Sequence, residues 1–132
     1  MKRILLILAL ILPFSAQAVT FNVNCDKPGP IGKISTYLKL ANALDATTIK
    51  VSGTCPENIQ INSLDRLSLI AMPGATLQDA SNGAQPVILI TDSRRITVQG
   101  FTITGGTTGI SCVYKSLVPS RIPSAAPAVP AS

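Results

Sequence analysis

Ile96-Thr97-Val98-Gln99-Gly100-Phe101-Thr102-Ile103-Thr104-Gly105-Gly106 alternates apolar and polar residues in runs of three, and a glycine marks where the runs meet. A period of two belongs to a strand with one face buried. The joint at Gly100 is too brief for a hairpin, so it reads as a corner where the chain bends and continues. The same pattern runs back to Thr48. Ile49 and Val51 alternate with Lys50 and Ser52, and Ile59 and Ile61 with Gln60 and Asn62. Leu67-Ser68-Leu69, Ala75-Thr76-Leu77 and Val87-Ile88-Leu89-Ile90 continue the series. Gly53, Pro56, Asn58, Asp65, Pro73-Gly74, Asn82-Gly83 and Asp92-Ser93 separate the runs, as turn residues do.

Many short strands with such punctuation suit either an antiparallel sandwich or a solenoid. Sandwich strands usually run to about five or six residues and return as hairpins. Strands of three to five residues joined by corners favour the solenoid. Ile49 and Ile96 open similar segments, and the distance between them holds two coils of a length common in repeat proteins.

The one helical pattern lies upstream. Ile34, Tyr37, Leu38, Ala41 and Leu44 share a face at helical spacing, with Pro30 placed to start the helix and Asp45 to end it. Before it, Val19–Cys25 alternates as a short strand.

The runs Thr48–Ile61, Leu67–Leu77 and Ile96–Cys112 resemble the first coils of right-handed parallel β-helix proteins of the pectin-lyase-like superfamily, in particular secreted bacterial β-helix-repeat proteins. The GATL and GFTITGG phrases carry most of the likeness. The resemblance covers residues 19–112. It implies an all-β fold: the first two to three coils of a right-handed parallel β-helix, plugged at one end by an N-terminal amphipathic helix. Few charges and many β-branched residues suit such a stack.

The start of the chain gives the compartment. Lys2-Arg3 precedes an apolar run, Ile4–Phe14, which is too short to span a bilayer, and Ala16-Gln17-Ala18 offers small residues for cleavage. Residues 1–18 therefore read as a bacterial signal peptide cut between Ala18 and Val19. The protein is expected to be secreted or periplasmic, with no membrane span after cleavage. In an oxidising compartment, Cys25 is expected to pair with Cys55, leaving Cys112 over.

Of 132 residues, 11 are Lys or Arg, 6 are Asp or Glu, and none is His or Trp. Imidazole metal sites, His-based triads and Trp sugar platforms are excluded. Residues 19–112 hold seven basic and six acidic residues with no clustered basic face, so nucleic acid is not the expected partner.

The pattern stops near Cys112. Residues 113–132 are rich in Pro, Ala and Ser, with four prolines that cannot donate to a strand ladder. This tail is expected to be disordered and reads either as out of frame, the chain then being the N-terminal part of a longer stack, or as a Pro/Ala linker that ends a small protein. An open edge there would favour edge-to-edge self-association.

Function is less legible. The expected role is binding an extracellular polysaccharide, or a cell-surface role such as an adhesin-like stalk, without catalysis by this chain. The alternative is an enzyme like pectate lyase or a glycoside hydrolase, acting on acidic polysaccharide with its catalytic coils missing here. No cofactor is expected, calcium entering only under the lyase alternative. Asp92, Arg94 and Arg95 are the weak candidates for an acidic sugar or a metal, and Asp92-Ser93-Arg94-Arg95 reads first as an ordinary turn with solvated arginines. Asp26, Asp45, Glu57, Asp65, Asp79 and Asp92 form no evident pair on neighbouring coils for hydrolysis. No catalytic residue is assigned.

Overall fold

The computed structural model describes residues 17–114. The apolar signal run and most of the tail, with the frame change read there, lie outside these residues. Among the described residues, ten strands and one short α-helix follow each other. Strand β1 is Val19–Asn24. Strands β2 (Thr47–Ser52), β3 (Thr54–Pro56) and β4 (Ile59–Asn62) make a first coil. Strands β5 (Leu67–Ala71), β6 (Thr76–Gln78) and β7 (Ile88–Thr91) make a second. Strands β8 (Thr97–Gln99), β9 (Thr102–Thr104) and β10 (Ile110–Val113) make a third.

Every strand pairs in parallel with its counterpart one coil away. Three sheets result: β1-β2-β5-β8, β3-β6-β9 and β4-β7-β10, termed sheets 1, 2 and 3. The molecule is a parallel β-solenoid. It has three complete coils with β1 as a further layer, about four turns, against the two to three read from the sequence. The coils are unequal: Ile49 lies beneath Leu69 and Leu69 beneath Val98, which are 20 and then 29 positions apart. Unequal spacing blurs the repeat.

Registration places like on like. Phe21, Ile49, Leu69 and Val98 form one inward column on sheet 1. Cys55, Leu77 and Ile103 form another on sheet 2, and Ile59, Ile88 and Ile110 a third on sheet 3. Ile49, Leu69, Cys55, Leu77, Ile59 and Ile88 are wholly buried. The alternate positions face out. Thr20, Thr48, Ser68 and Thr97 form one polar column, and Thr54, Thr76 and Thr102 another.

The corners follow from backbone conformation. Gly53, Gly74 and Gly100 turn sheet 1 into sheet 2 with φ of 82°, 84° and 83°, a region open to glycine at no steric cost. Gly53 also leaves room for a neighbour, since a Cβ there would lie 2.6 Å from the Asp26 carboxylate. That carboxylate accepts a bond from the Thr54 amide at 3.1 Å. The return from sheet 3 to sheet 1 uses two non-glycine residues at positive φ, Ser63 and Arg66 in one coil and Asp92 and Arg95 in the next.

The helix is shorter than its apolar spacing predicts. After a 3-10 turn at Pro30–Gly32, helix α1 spans Ile34–Leu38 only. Ile34 and Leu38 are buried, while Leu40 and Leu44 face solvent. The Asn42 side chain stops further winding, because its oxygen accepts the amides of Leu44 and Asp45. Helix α1 packs against β2 and β4 and closes the lower end of the coil. The Cys25–Cys55 disulfide ties the residue after β1 to β3, as expected. Cys112 is free and exposed. No helix among the described residues is long and apolar enough to cross a membrane.

Candidate functional site

Concave surface features among the described residues include two that each gather more than one charged side chain. The first is a groove of about 610 Å³ on the outer side of sheet 1. The outward side chains of β1 and β2 place Asn22, Asn24, Lys50 and Ser52 on its floor. Lys27, Ile31 and Tyr37, from the loop and helix that follow β1, supply one wall, and Met72 another. The Tyr37 ring lies 5.5 Å from that of Phe21 and its hydroxyl donates to the Ile31 carbonyl, so this wall is held in place. Two ammonium groups and two amides converge here, and no carboxylate lines the groove. The sequence does not reveal this, because Lys27 and Lys50 meet only once β1 has paired with β2.

The second is the corner that holds Asp92, Arg94 and Arg95. A parallel bridge stacks Arg94 on Asp65 of the coil below. Asp65, Asp92 and Arg94 share a shallow cavity of about 260 Å³ with Ala43, Ser63 and Leu64. Arg95 does not join them. Its guanidinium forms a forked ion pair with Asp65 at 2.8 and 2.6 Å, linking the two coils. Hydrogen bonding from Arg95 holds the Asp65 carboxyl below its ordinary range, and Asp65 in turn raises Arg95. The Ser93 hydroxyl donates to the Thr91 carbonyl and accepts the Leu64 amide, as a turn residue does. Of the three residues singled out, Asp92 and Arg94 thus share a cavity, and Arg95 serves the stack.

Other carboxylates hold backbone. Glu57 accepts the amides of Ile34 and Ser35, each at 2.9 Å, and so caps helix α1 from the first coil. No local pattern links residue 57 to a helix start 23 positions upstream. Asp79 accepts from the Ser81 hydroxyl, the Asn58 amide group and the backbone of Ser81 and Gly83. Those bonds, that from the Ser81 hydroxyl foremost, push its carboxyl far below the ordinary value. Asn58 is fully used, since it also donates to the Pro86 carbonyl and accepts the Ala80 amide.

The sign of the resulting pH dependence is fixed. A carboxyl that titrates lower folded than unfolded stabilises the fold fully above its unfolded value, here 3.8. That contribution is lost as pH falls below it. Urea midpoints are expected to drop on acidification from pH 5 to pH 3, and Asp79→Asn is expected to flatten the drop. An unchanged slope in Asp79→Asn would contradict the assignment.

Among the described residues no three of His, Cys, Asp and Glu gather. Asp26, Glu57, Asp65 and Asp79 are engaged as above, and Asp45 accepts from Asn42. This donor set does not fit a carboxylate-held ion, and no step is derived through one. Comparison with known families, with curated proteins and with solved structures gives no match.

Proposed function

We propose that the protein is an extracellular β-helix of the pectin-lyase-like kind that binds an acidic polysaccharide along the outer face of sheet 1 without cleaving it. One observation carries this reading: Lys27 and Lys50 line one groove with Asn22 and Asn24, and no carboxylate lines it. An ammonium recognises a uronate carboxylate by charge, and amides take up hydroxyls in either sense. The buried Cys25–Cys55 disulfide suits an oxidising compartment, in keeping with secretion.

Retention of the full chain on polygalacturonate, with dextran as the neutral control, tests the reading. Binding to polygalacturonate alone, weakening as salt is raised, is the expected result. Lys27→Glu with Lys50→Glu is expected to weaken it about tenfold, since each exposed charge contact is worth up to about 1 kcal/mol. Equal retention on both polymers, or none on either, would contradict the proposal. Release of unsaturated, ultraviolet-absorbing products would favour a lyase instead.

A further inference from the structure

The two lysines of the sheet 1 groove stand on different footings. Lys50 lies on β2, with a strand paired on either side. Lys27 lies in the loop between β1 and helix α1. A charge on a loop binds well only where the loop is already held, because ordering it on binding costs entropy. Three links tie the start of this loop to the first coil. The Cys25 amide donates to the Ser52 carbonyl at 2.9 Å, and its sulfur is bonded to Cys55. The Asp26 carboxylate accepts the Thr54 amide at 3.1 Å, in the space that Gly53 leaves open. The Asn24 side chain accepts the Asp26 amide at 3.0 Å, and the Lys27 amide donates to the Asn24 carbonyl at 3.1 Å. A tight turn therefore carries Lys27 directly on from Asp26. Beyond it the tethers stop. Among the described residues, the hydrogen bonds of residues 27–33 stay within residues 24–37. The next link to the coil is Glu57, at the amides of Ile34 and Ser35.

We propose that Asp26 is a positioning residue for polysaccharide binding: its bond to the Thr54 amide fixes the turn that presents Lys27 to the groove. This rests on the reading of that groove as the site of an acidic polysaccharide. Charge and position predict opposite signs for the loss of Asp26. Its negative charge stands one residue from Lys27, so Coulomb attraction alone makes a polyanion bind more tightly once that charge is removed. Positioning makes the polyanion bind more weakly once the bond to Thr54 is removed. Ala removes charge and bond together, whereas Asn removes the charge and keeps an acceptor oxygen.

The affinity of the full chain for polygalacturonate at one fixed salt concentration tests this. Asp26→Ala is expected to bind about threefold to fivefold more weakly than wild type, close to Lys27→Ala, as for the loss of one exposed charge contact. Asp26→Asn is expected to bind at least as tightly as wild type. Added to Lys27→Ala, Asp26→Ala is expected to cause no further weakening, since the two residues act as a unit. A general structural effect of Asp26 would weaken binding equally with and without Lys27. Amide exchange at Lys27 is expected to quicken in Asp26→Ala and to stay near wild type in Asp26→Asn. Asp26→Ser, which also lacks the side-chain carbonyl, replaces Asp26→Ala if the latter does not fold. Equal weakening in both backgrounds, Asp26→Asn as weak as Asp26→Ala, or unchanged exchange in Asp26→Ala would overturn the proposal. Wild-type binding with Asp26→Ala unimpaired overturns the positioning role alone. No binding by the wild type overturns the reading of the groove and this role with it.

Discussion

Replacing Cys25 and Cys55 by Ser is expected to lower the unfolding free energy by about 3–4 kcal/mol, the chain-entropy value for a loop of this size. The bond joins residues 30 positions apart and fastens the end of β1, with the helix that follows it, to the first coil. Both cysteines are buried, Cys55 completely. Small domains have only about 5–15 kcal/mol in all, so much of the margin disappears. The loss is expected to concentrate at the lower end. Hydrogen exchange in β1 and α1 should accelerate before that in β5–β7. Urea denaturation with and without a thiol reductant measures the total. A change below about 1 kcal/mol, within the range of an ordinary substitution, would mean that β1 and the cap hold to the coil without the bond.

Leu69→Ala carries the second large effect. Leu69 sits in the middle of a column, with Ile49 below and Val98 above, and is wholly buried. Truncation removes transfer energy and leaves a cavity that the rigid ladders on both sides cannot close. The expected loss is about 2–5 kcal/mol. Ile103→Ala in the upper coil is the internal comparison. Ile103 is only partly buried, so its truncation is expected to cost clearly less. Equal losses at the two positions would contradict the placement of the upper coil at an open end.

Much of the fold is legible because its physics is local. The alternation at Ile49–Ser52, Ile59–Asn62 and Leu67–Leu69 marks real strands, and the corners at Gly53 and Gly100 are where the chain bends. Strand β3 is less visible. Thr54-Cys55-Pro56 is three residues long and ends in proline, so it reads as punctuation. Its pairing with β6 comes from stacking, which a single strand does not encode. The helix fails in the other direction. Apolar spacing continues to Leu44, but an Asn42 side chain bonded to the backbone ends the winding early.

The candidate site is less legible for a stronger reason. Sites on a solenoid are assembled across coils, and unequal coil lengths hide which residues meet. Asp92-Ser93-Arg94-Arg95 attracts attention as a local cluster, yet Arg95 answers to Asp65 across 30 positions. Ile61–Leu69 and Ile90–Val98 are the same corner one coil apart, and comparing them position by position would have placed Asp65 beneath Arg94. Lys27 and Lys50 offer no such signal, since one lies in the loop after β1 and the other on β2.

The central claim is that these strands stack in parallel, one coil on the next, and do not return as hairpins. Nuclear Overhauser contacts between backbone protons test it most directly. The expected contacts join Ile49 to Leu69, Leu77 to Ile103 and Ile61 to Ile90, with the register of parallel strands. Close Hα–Hα contacts between strands adjacent in the chain, such as β5 with β6 or β8 with β9, belong to antiparallel hairpins and would contradict the account.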